Sequence, residues 1–139
     1  MKLFIFVASL LFSFSSYAES NASSSSLSGE VTLSKGSESA LAPNGTLFIF
    51  AKKASQADAK GVPPLAVLRI PSPKFPVKFS LSQENAMMAG TPFEGPFVVS
   101  ARYSPSGDAL DKSGPEGATD IKKPLKAGAK NISIELKKR

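Results

Sequence analysis

The chain of 139 residues contains no cysteine, no histidine and no tryptophan. Without cysteine, a disulfide, a thiol nucleophile and an iron–sulfur ligand set are all excluded. Without histidine, a Ser-His-Asp triad, an imidazole base and an ordinary catalytic zinc site are excluded as well. We therefore expect no enzymatic activity and no cofactor. The length suits a single small domain, since domains commonly have ~100–150 residues.

Long hydrophobic runs are also missing, because no apolar stretch reaches the ~20 residues that a membrane-spanning helix needs. The longest one, Leu3 to Phe14, follows Met1-Lys2 and precedes Ser16-Tyr17-Ala18. A positive start, a short apolar run and small residues at the cleavage position are typical of a secretory signal peptide. We assign residues 1–18 to a cleaved signal peptide. The expected product is a periplasmic protein without a transmembrane segment.

Residues 19–28 are rich in serine and poor in apolar side chains. Such a segment cannot bury enough apolar area to offset the entropy lost on ordering it. We therefore predict a flexible leader over residues 19–28 and a folded domain over residues 29–139.

The folded domain consists of short runs of β-branched, aromatic and aliphatic residues, several with strict apolar–polar alternation. The 11 prolines and 10 glycines separate these runs, as they do in proteins made of many short strands. This pattern predicts an all-β fold, a two-sheet antiparallel β-sandwich with Greek-key connections, either immunoglobulin-like or cupredoxin-like. The predicted strands are Val31–Ser34, Thr46–Lys52, Leu65–Ile70, Val77–Ser82, Phe97–Tyr103 and Asn131–Lys137.

The run Thr46–Lys52 is almost continuously apolar, which is typical of a central strand buried on both faces. Ser82–Ala89 has a capping residue and good helix formers, so it predicts one or two helical turns. The segment Ser104–Lys130 has few large apolar residues, and we expect an exposed, mobile loop. We predict a shared core of Phe48, Phe50, Val67, Phe79, Leu81, Val99, Ala101, Ile132 and Ile134.

Positive charge is concentrated at the end of the chain, where Glu135 is the one acid among the lysines of residues 122–139. One interpretation is a basic C-terminus that makes weak contact with an anionic surface. The alternative is a solvated last strand whose lysines keep a sheet edge from pairing with another chain. We expect no nucleic-acid partner, because the basic residues are not interleaved with aromatic ones.

Five ordered stretches carry a family resemblance. They are Leu47–Lys52, Gly61–Val67 with Arg69, Pro76, Ala86–Gly90 and Val98–Ala109. In this order and spacing they resemble the C-terminal periplasmic β domain of cytochrome c biogenesis accessory proteins, which are haem-lyase partners and apocytochrome c chaperones. Full-length members carry membrane helices and tetratricopeptide repeats before this domain. The resemblance therefore implies a stand-alone secreted copy that binds a protein or peptide partner, apocytochrome c or the haem-lyase machinery.

The resemblance also points to a partner-binding rim, made of the quoted motifs that lie outside strands. Loop residues recur either for turn geometry or for contact with a partner. The alternative is a purely structural role, in which glycine and proline only shape turns and Met87 fills the end of the core. The implied partner-binding residues are Pro63, Pro64, Arg69, Met87, Met88, Arg102, Ser106, Gly107 and Asp108.

Three classes of function follow from the sequence. The first is a non-enzymatic accessory protein of cytochrome c maturation. The second is an envelope-associated structural β-sandwich that binds another protein or an anionic polymer. The third, an enzyme or a metal carrier, is the least supported. Its one soft-ligand feature is the Met87-Met88 pair, and a copper site would normally also use histidine or cysteine, which the chain lacks.

Overall fold

The computed structural model describes residues 26–88, 90 and 92–138. The predicted signal peptide and most of the predicted leader lie outside these residues. In the described part, three short 3-10 helices join seven strands. The 3-10 helices are Glu38–Ala40, Ala54–Gln56 and Gln83–Asn85. The strands are β1 (Leu27–Leu33), β2 (Thr46–Lys53), β3 (Ala66–Pro71), β4 (Val77–Leu81), β5 (Phe97–Ser104), β6 (Glu116–Ala118) and β7 (Ile132–Leu136).

The strands form two sheets, ordered β4-β1-β7 and β3-β2-β5-β6. The predicted all-β sandwich is confirmed, with one departure from the expected antiparallel arrangement. β1 and β7 run parallel, in a register that pairs Gly29 with Ile132 and Leu33 with Leu136. A parallel pair needs a long connection between its strands. Here that connection contains all the other strands, β2 to β6. β1 begins at Leu27, two residues before the predicted start of the domain.

The core lies between the sheets and follows the alternation of the strands. The inward side chains of β4 are Val77, Phe79 and Leu81, and those of β7 are Ile132, Ile134 and Leu136. The predicted core positions Phe79, Leu81, Val99, Ala101, Ile132 and Ile134 are all part of this cluster.

Three predicted core residues, Phe48, Phe50 and Val67, lie outside the cluster between the sheets, although Phe48 is buried. β2 contributes Leu47, Ile49 and Ala51 to the core instead. Because side chains alternate along a strand, Phe48 and Phe50 lie on the opposite, outer face of the sheet. Both faces of β2 are apolar, so the sequence alone leaves its inward face undetermined.

The long segment after β5 contains a strand, β6, that the sequence does not predict. β6 pairs with β5, placing Gly117 opposite Ala101. Glu116 and Lys137 exchange backbone hydrogen bonds of 3.1 and 3.0 Å, which link β6 to the end of β7. A side chain at Gly117 would overlap the backbone oxygen of Glu135. The sandwich is therefore closed on this side, and the expected mobile loop is in part a strand.

The remaining part of that segment is tied together by one carboxylate. Asp111 accepts hydrogen bonds from the Ser113 hydroxyl and backbone amide at 2.6 and 2.9 Å, and from the Ser106 hydroxyl at 2.7 Å. These bonds, led by those from Ser113, hold the pKa of Asp111 far below its usual range. In the same loop, the Ala109 carbonyl accepts a hydrogen bond from Arg102 Nη1 at 3.3 Å. The loop therefore helps to position an arginine of β5.

The inward and outward phenylalanines can be compared directly. We expect Phe79→Ala to lower the free energy of unfolding by ~3–5 kcal/mol, because it leaves a cavity between the sheets. Phe50→Ala, on the outer face, should cost less than about half of that, since no closed cavity forms. Chemical denaturation of the two variants measures both values. Equal losses would contradict the assignment of Phe50 to the outer face.

The Asp111 loop gives a prediction about pH. Since the folded loop lowers this pKa, its contribution to stability is present above the ordinary Asp value of ~3.9 and is lost only when the pH falls through the folded value. The carboxyl carbon shift of Asp111 should therefore stay unchanged between about pH 6 and pH 3. In Ser113→Ala the carboxyl should titrate at a higher pH. A wild-type carboxyl that titrates near the ordinary value would disprove the hydrogen-bond assignment.

Candidate functional site on the outer face of the four-stranded sheet

The outer faces of the two sheets differ in chemistry. The outer face of β4-β1-β7 is polar throughout. It carries Ser28, Glu30, Thr32, Lys78, Ser80, Ser133 and Glu135. The outer face of β3-β2-β5-β6 instead carries Phe48, Phe50, Val67 and Val98 among a few polar residues. Outer faces of antiparallel sandwiches are usually polar. On this face Phe48 and Val98 are buried, whereas Phe50 and Val67 are half-buried and partly accessible to a partner. We call this second surface the aromatic face.

Phe48 lies at the centre of the aromatic face. In the ladders it pairs with Arg69 of β3 on one side and with Arg102 of β5 on the other, so the three side chains form one row. The Phe48 and Phe50 rings stack, with centroids 6.3 Å apart and an interplanar angle of 12°. Phe48 is 5% exposed although it faces away from the core. Long arginine side chains can cover apolar surface in this way while their charged ends stay in water.

Arg102 is held on the aromatic face by three contacts. Its guanidinium carbon lies 5.8 Å from the centroid of the Phe50 ring, within the range of a cation–π contact. Its Nε lies 3.6 Å from a carboxylate oxygen of Glu116, and its Nη1 donates to the Ala109 carbonyl. Arg102 is therefore a fixed positive group beside an aromatic ring.

A hollow of about 340 Å³ lies next to Phe50 on the same face. Its floor is formed where β5 and β6 place the small residues Ser100 and Ala118 opposite each other. Arg102 and Glu116 line one side of it. The hollow is open to solvent and has both an apolar wall and a charged one, so it could receive an amphipathic side chain of a partner.

The charge of the aromatic face is positive. Arg69 is exposed and makes no hydrogen bond or ion pair with any described residue. Lys52 follows on the same face of β2, paired with Val98. On the described strands of this face Glu116 is the one acid, and it lies beside Arg102. A partner with negative charge therefore complements this surface.

The structure divides the predicted partner-binding residues among three places. Arg69 and Arg102 lie on the aromatic face. Pro63 and Pro64 lie just before β3, and Met87 lies beside them, with its backbone N–H donating to the Leu65 carbonyl at 3.0 Å. Met87 and the neighbouring Met88 are 56% and 67% exposed. The alternative interpretation, in which Met87 fills the end of the core, is therefore wrong.

Ser106, Gly107 and Asp108 lie at the opposite end of the sandwich. They follow Ser104, which pairs with Thr46 at the start of β2, whereas β3 begins beside the end of β2. The eight residues of β2 separate the two ends by about 25 Å at ~3.3 Å per residue. The loops of the predicted rim therefore lie at opposite ends of the sandwich. Gly107 has a positive φ of 81°, so turn geometry accounts for its place in the motif.

The basic C-terminal region is split in the same way. Lys122, Lys123, Lys126 and Lys130 are exposed on the connection from β6 to β7, at the end where β3 begins. Lys137 and Lys138 follow β7 at the other end, and Lys137 Nζ lies 3.6 Å from a carboxylate oxygen of Glu135. The lysines therefore do not form one continuous surface. The lysine loop, residues 122–130, is the larger of the two groups.

The aromatic face was not predicted, because the sequence pattern places Phe48 and Phe50 in the core. One sequence feature could have pointed to this face, since β5 carries a mixed apolar and polar set, Val98, Ser100 and Arg102, at alternate positions. It reveals the aromatic face only when Phe48 is known to pair with Arg102, and the spacing along the chain does not give that pairing.

The described residues show neither a cluster of three or more His, Cys, Asp or Glu side chains arranged to hold a metal ion nor a helix long and apolar enough to cross a bilayer.

Two comparisons with known proteins find a similarity to this chain. A solved structure, that of an alternative pilotin from the type II secretion system of Vibrio cholerae, is similar to this chain with a TM-score of 0.49 and 18% identity. The similarity covers 80% of this chain and 93% of the pilotin chain. No curated protein matches the sequence significantly. A family model described as the cytochrome c-type biogenesis protein H Ig-like domain matches residues 27–135, from the first residue of β1 to the last strand. The chain therefore belongs to the family of cytochrome c-type biogenesis protein H Ig-like domains.

Proposed function

We propose that this protein is a non-catalytic accessory module of cytochrome c maturation that binds a polypeptide partner through its aromatic face. The partner is haem-free cytochrome c or a component of the haem-lyase machinery, and the interaction takes place in the periplasm after removal of residues 1–18. The observation that carries the proposal is the row formed by Arg69, Phe48 and Arg102, with Phe50 beside it. Membership of the biogenesis family supports the assignment to this process.

The chemistry of the aromatic face is that of a protein-binding surface. Aromatic residues and arginine are enriched at the centres of protein interfaces, where they contribute most of the binding energy. Phe50 is half-buried in the isolated protein, so a partner would remove the rest of its ring from water. Arg102 is already held in place, which lowers the entropy cost of using it in a complex.

The proposed absence of catalysis is supported by composition. The chain has no histidine and no cysteine, so neither an imidazole base nor a thiol nucleophile is available to it. The hollow on the aromatic face is lined by one hydroxyl residue, Ser100, and by one acid, Glu116. Glu116 is paired with Arg102, whose Nε lies 3.6 Å from one of its carboxylate oxygens.

A second candidate function has its own supporting observation. The lysine loop presents Lys122, Lys123, Lys126 and Lys130 to solvent, and such a group of charges attracts anionic polymers or phospholipid surfaces. In this case the protein would be an envelope-associated sandwich. Binding through exposed lysines should weaken steeply with added salt, because charges in water are screened beyond ~8 Å at physiological ionic strength.

The first candidate predicts a specific loss in Phe50→Thr, which keeps a strand-forming residue but removes the ring. We expect this variant to bind haem-free cytochrome c at least ~10-fold more weakly than the wild type, a loss of about 1.4 kcal/mol. Lys78→Thr, on the polar face of the other sheet, is the matched control and should bind within ~2-fold of the wild type. Titration calorimetry measures all three affinities.

Two results would count against this assignment, for different reasons. A wild-type protein that does not bind haem-free cytochrome c would remove the proposed partner. Binding that Phe50→Thr leaves unchanged would remove the aromatic face as the site. If the interaction is instead lost in a variant with Lys122, Lys123 and Lys126 changed to Gln, the lysine loop rather than the aromatic face binds the partner.

A further inference from the structure

β3 is an edge strand whose outer side is largely unpaired. It pairs with β2 on one side and lies at the end of the order β3-β2-β5-β6. On the other side, the described residues give it one isolated bridge, between Ala66 and Ala86, and the hydrogen bond from Met87 N–H to the Leu65 carbonyl. Both contacts are at the start of the strand. From Val67 onward, no described segment pairs with this edge.

The hydrogen-bond pattern identifies which backbone groups face this edge. Ser72 N–H donates to the Gly45 carbonyl at 2.9 Å, and Leu65 N–H donates to the Ala51 carbonyl at 2.8 Å. Both acceptors have odd residue numbers, so the backbone N–H and C=O groups of the odd-numbered residues along β2 point toward β3. Those of the even-numbered residues point toward β5, as the bond from Ala54 N–H to the Pro96 carbonyl shows.

Pairs in an antiparallel ladder alternate between hydrogen-bonded and non-hydrogen-bonded. The β3 residues that bond to β2 are therefore those opposite its odd-numbered residues, namely Leu68 and Ile70. The amide and carbonyl groups of Val67 and Arg69 point away from β2, toward the open edge. Neither residue makes a backbone hydrogen bond to another described segment.

An open row of amides and carbonyls on an edge strand can pair with an extended chain. Many peptide-binding domains recognise their partners in this way, since the main chain supplies affinity and alternate side chains supply specificity. Pro71, which has no N–H, limits the usable edge at the end of β3. The open stretch is therefore short and lies next to the aromatic face.

The side chains beside this edge define the chemistry of the occupant. Residues paired across a ladder lie on the same face of a sheet. A residue opposite Arg69 would lie on the aromatic face beside an exposed guanidinium that has no partner among the described residues. A residue opposite Val67, two positions away, would lie beside Val67 and close to Phe50. Charge and apolar complementarity therefore favour a carboxylate at the first position and an apolar side chain at the second.

We propose that the open edge of β3 binds an extended segment of the partner as an added strand, with an acidic side chain beside Arg69 and an apolar side chain beside Val67. This inference rests on the proposed function, because it describes how a polypeptide partner engages the aromatic face. The exposed Met87 and Met88 extend the apolar surface at the start of β3.

The experiment uses amide hydrogen exchange, followed by nuclear magnetic resonance on the purified protein. In the unbound protein, the amides of Leu68 and Ile70 should exchange slowly and those of Val67 and Arg69 rapidly. The probe is a blocked synthetic peptide of about eight residues in which glutamate and valine alternate at every second position and threonine fills the positions between them, so that a glutamate and a valine lie on the same face. At a peptide concentration about ten times its Kd, exchange at Val67 and Arg69 should slow by about 10-fold, since about one molecule in eleven remains unbound.

A second measurement tests the charge. Replacing the glutamates of the peptide with glutamine should weaken its binding to the wild type by at least ~5-fold, as expected for the loss of a charge-assisted contact. The same replacement should have little effect on binding to Arg69→Gln, because the two changes remove one shared interaction. Arg69→Gln keeps an uncharged polar side chain on the edge strand, and unchanged exchange rates of Leu68 and Ile70 show that its fold is intact.

The possible results separate the edge from the proposed function. If the peptide shifts the Phe50 resonances but leaves exchange at Val67 and Arg69 unchanged, or if it does not bind, strand addition at this edge is wrong. If haem-free cytochrome c binds without protecting these two amides, strand addition is wrong and the proposed function remains. If the peptide protects them but haem-free cytochrome c does not bind, the edge site stands and the role in cytochrome c maturation is overturned.

Discussion

β2 is paired along its whole length with β5 and along six residues with β3. This pairing fixes the side chains of β2 alternately on the two faces of the four-stranded sheet. This register places Leu47, Ile49 and Ala51 in the core and Phe48 and Phe50 on the opposite face. A shift by one residue would exchange the two sets. The core, the aromatic face and the positions of Arg69 and Arg102 therefore all depend on the same ladder of hydrogen bonds.

The sequence predicts this fold best where polar and apolar residues alternate strictly. In Val77–Leu81 and Ile132–Leu136 the polar residues identify the outer face, and the predicted core residues Phe79 and Ile132 are confirmed. In β2 both alternating sets are apolar, so the pattern identifies a strand but not its inward face. β6 has three residues, two of them Gly117 and Ala118, which is too little for periodicity to detect. It forms because β5 and β7 supply its partners.

The candidate site was predictable in part. The family resemblance drew attention to Arg69 and Arg102, and the structure places both beside Phe48 on one surface. It also grouped loops that lie at opposite ends of the sandwich. Spacing along the chain reveals which segments connect strands but not the direction in which each strand crosses its sheet, and that direction decides which loops are neighbours. The lysines of residues 122–138 were separated for the same reason, since β7 lies between them.

The parallel pairing of β1 with β7 has a mechanical consequence. The chain enters β1 at one end of the sandwich and leaves β7 at the other, and the two strands pair from Gly29–Ile132 to Leu33–Leu136. A tension applied to the chain on both sides of the domain would act along these strands and would load all the bonds of the ladder together. Unzipping one bond at a time would need a pull across the strands.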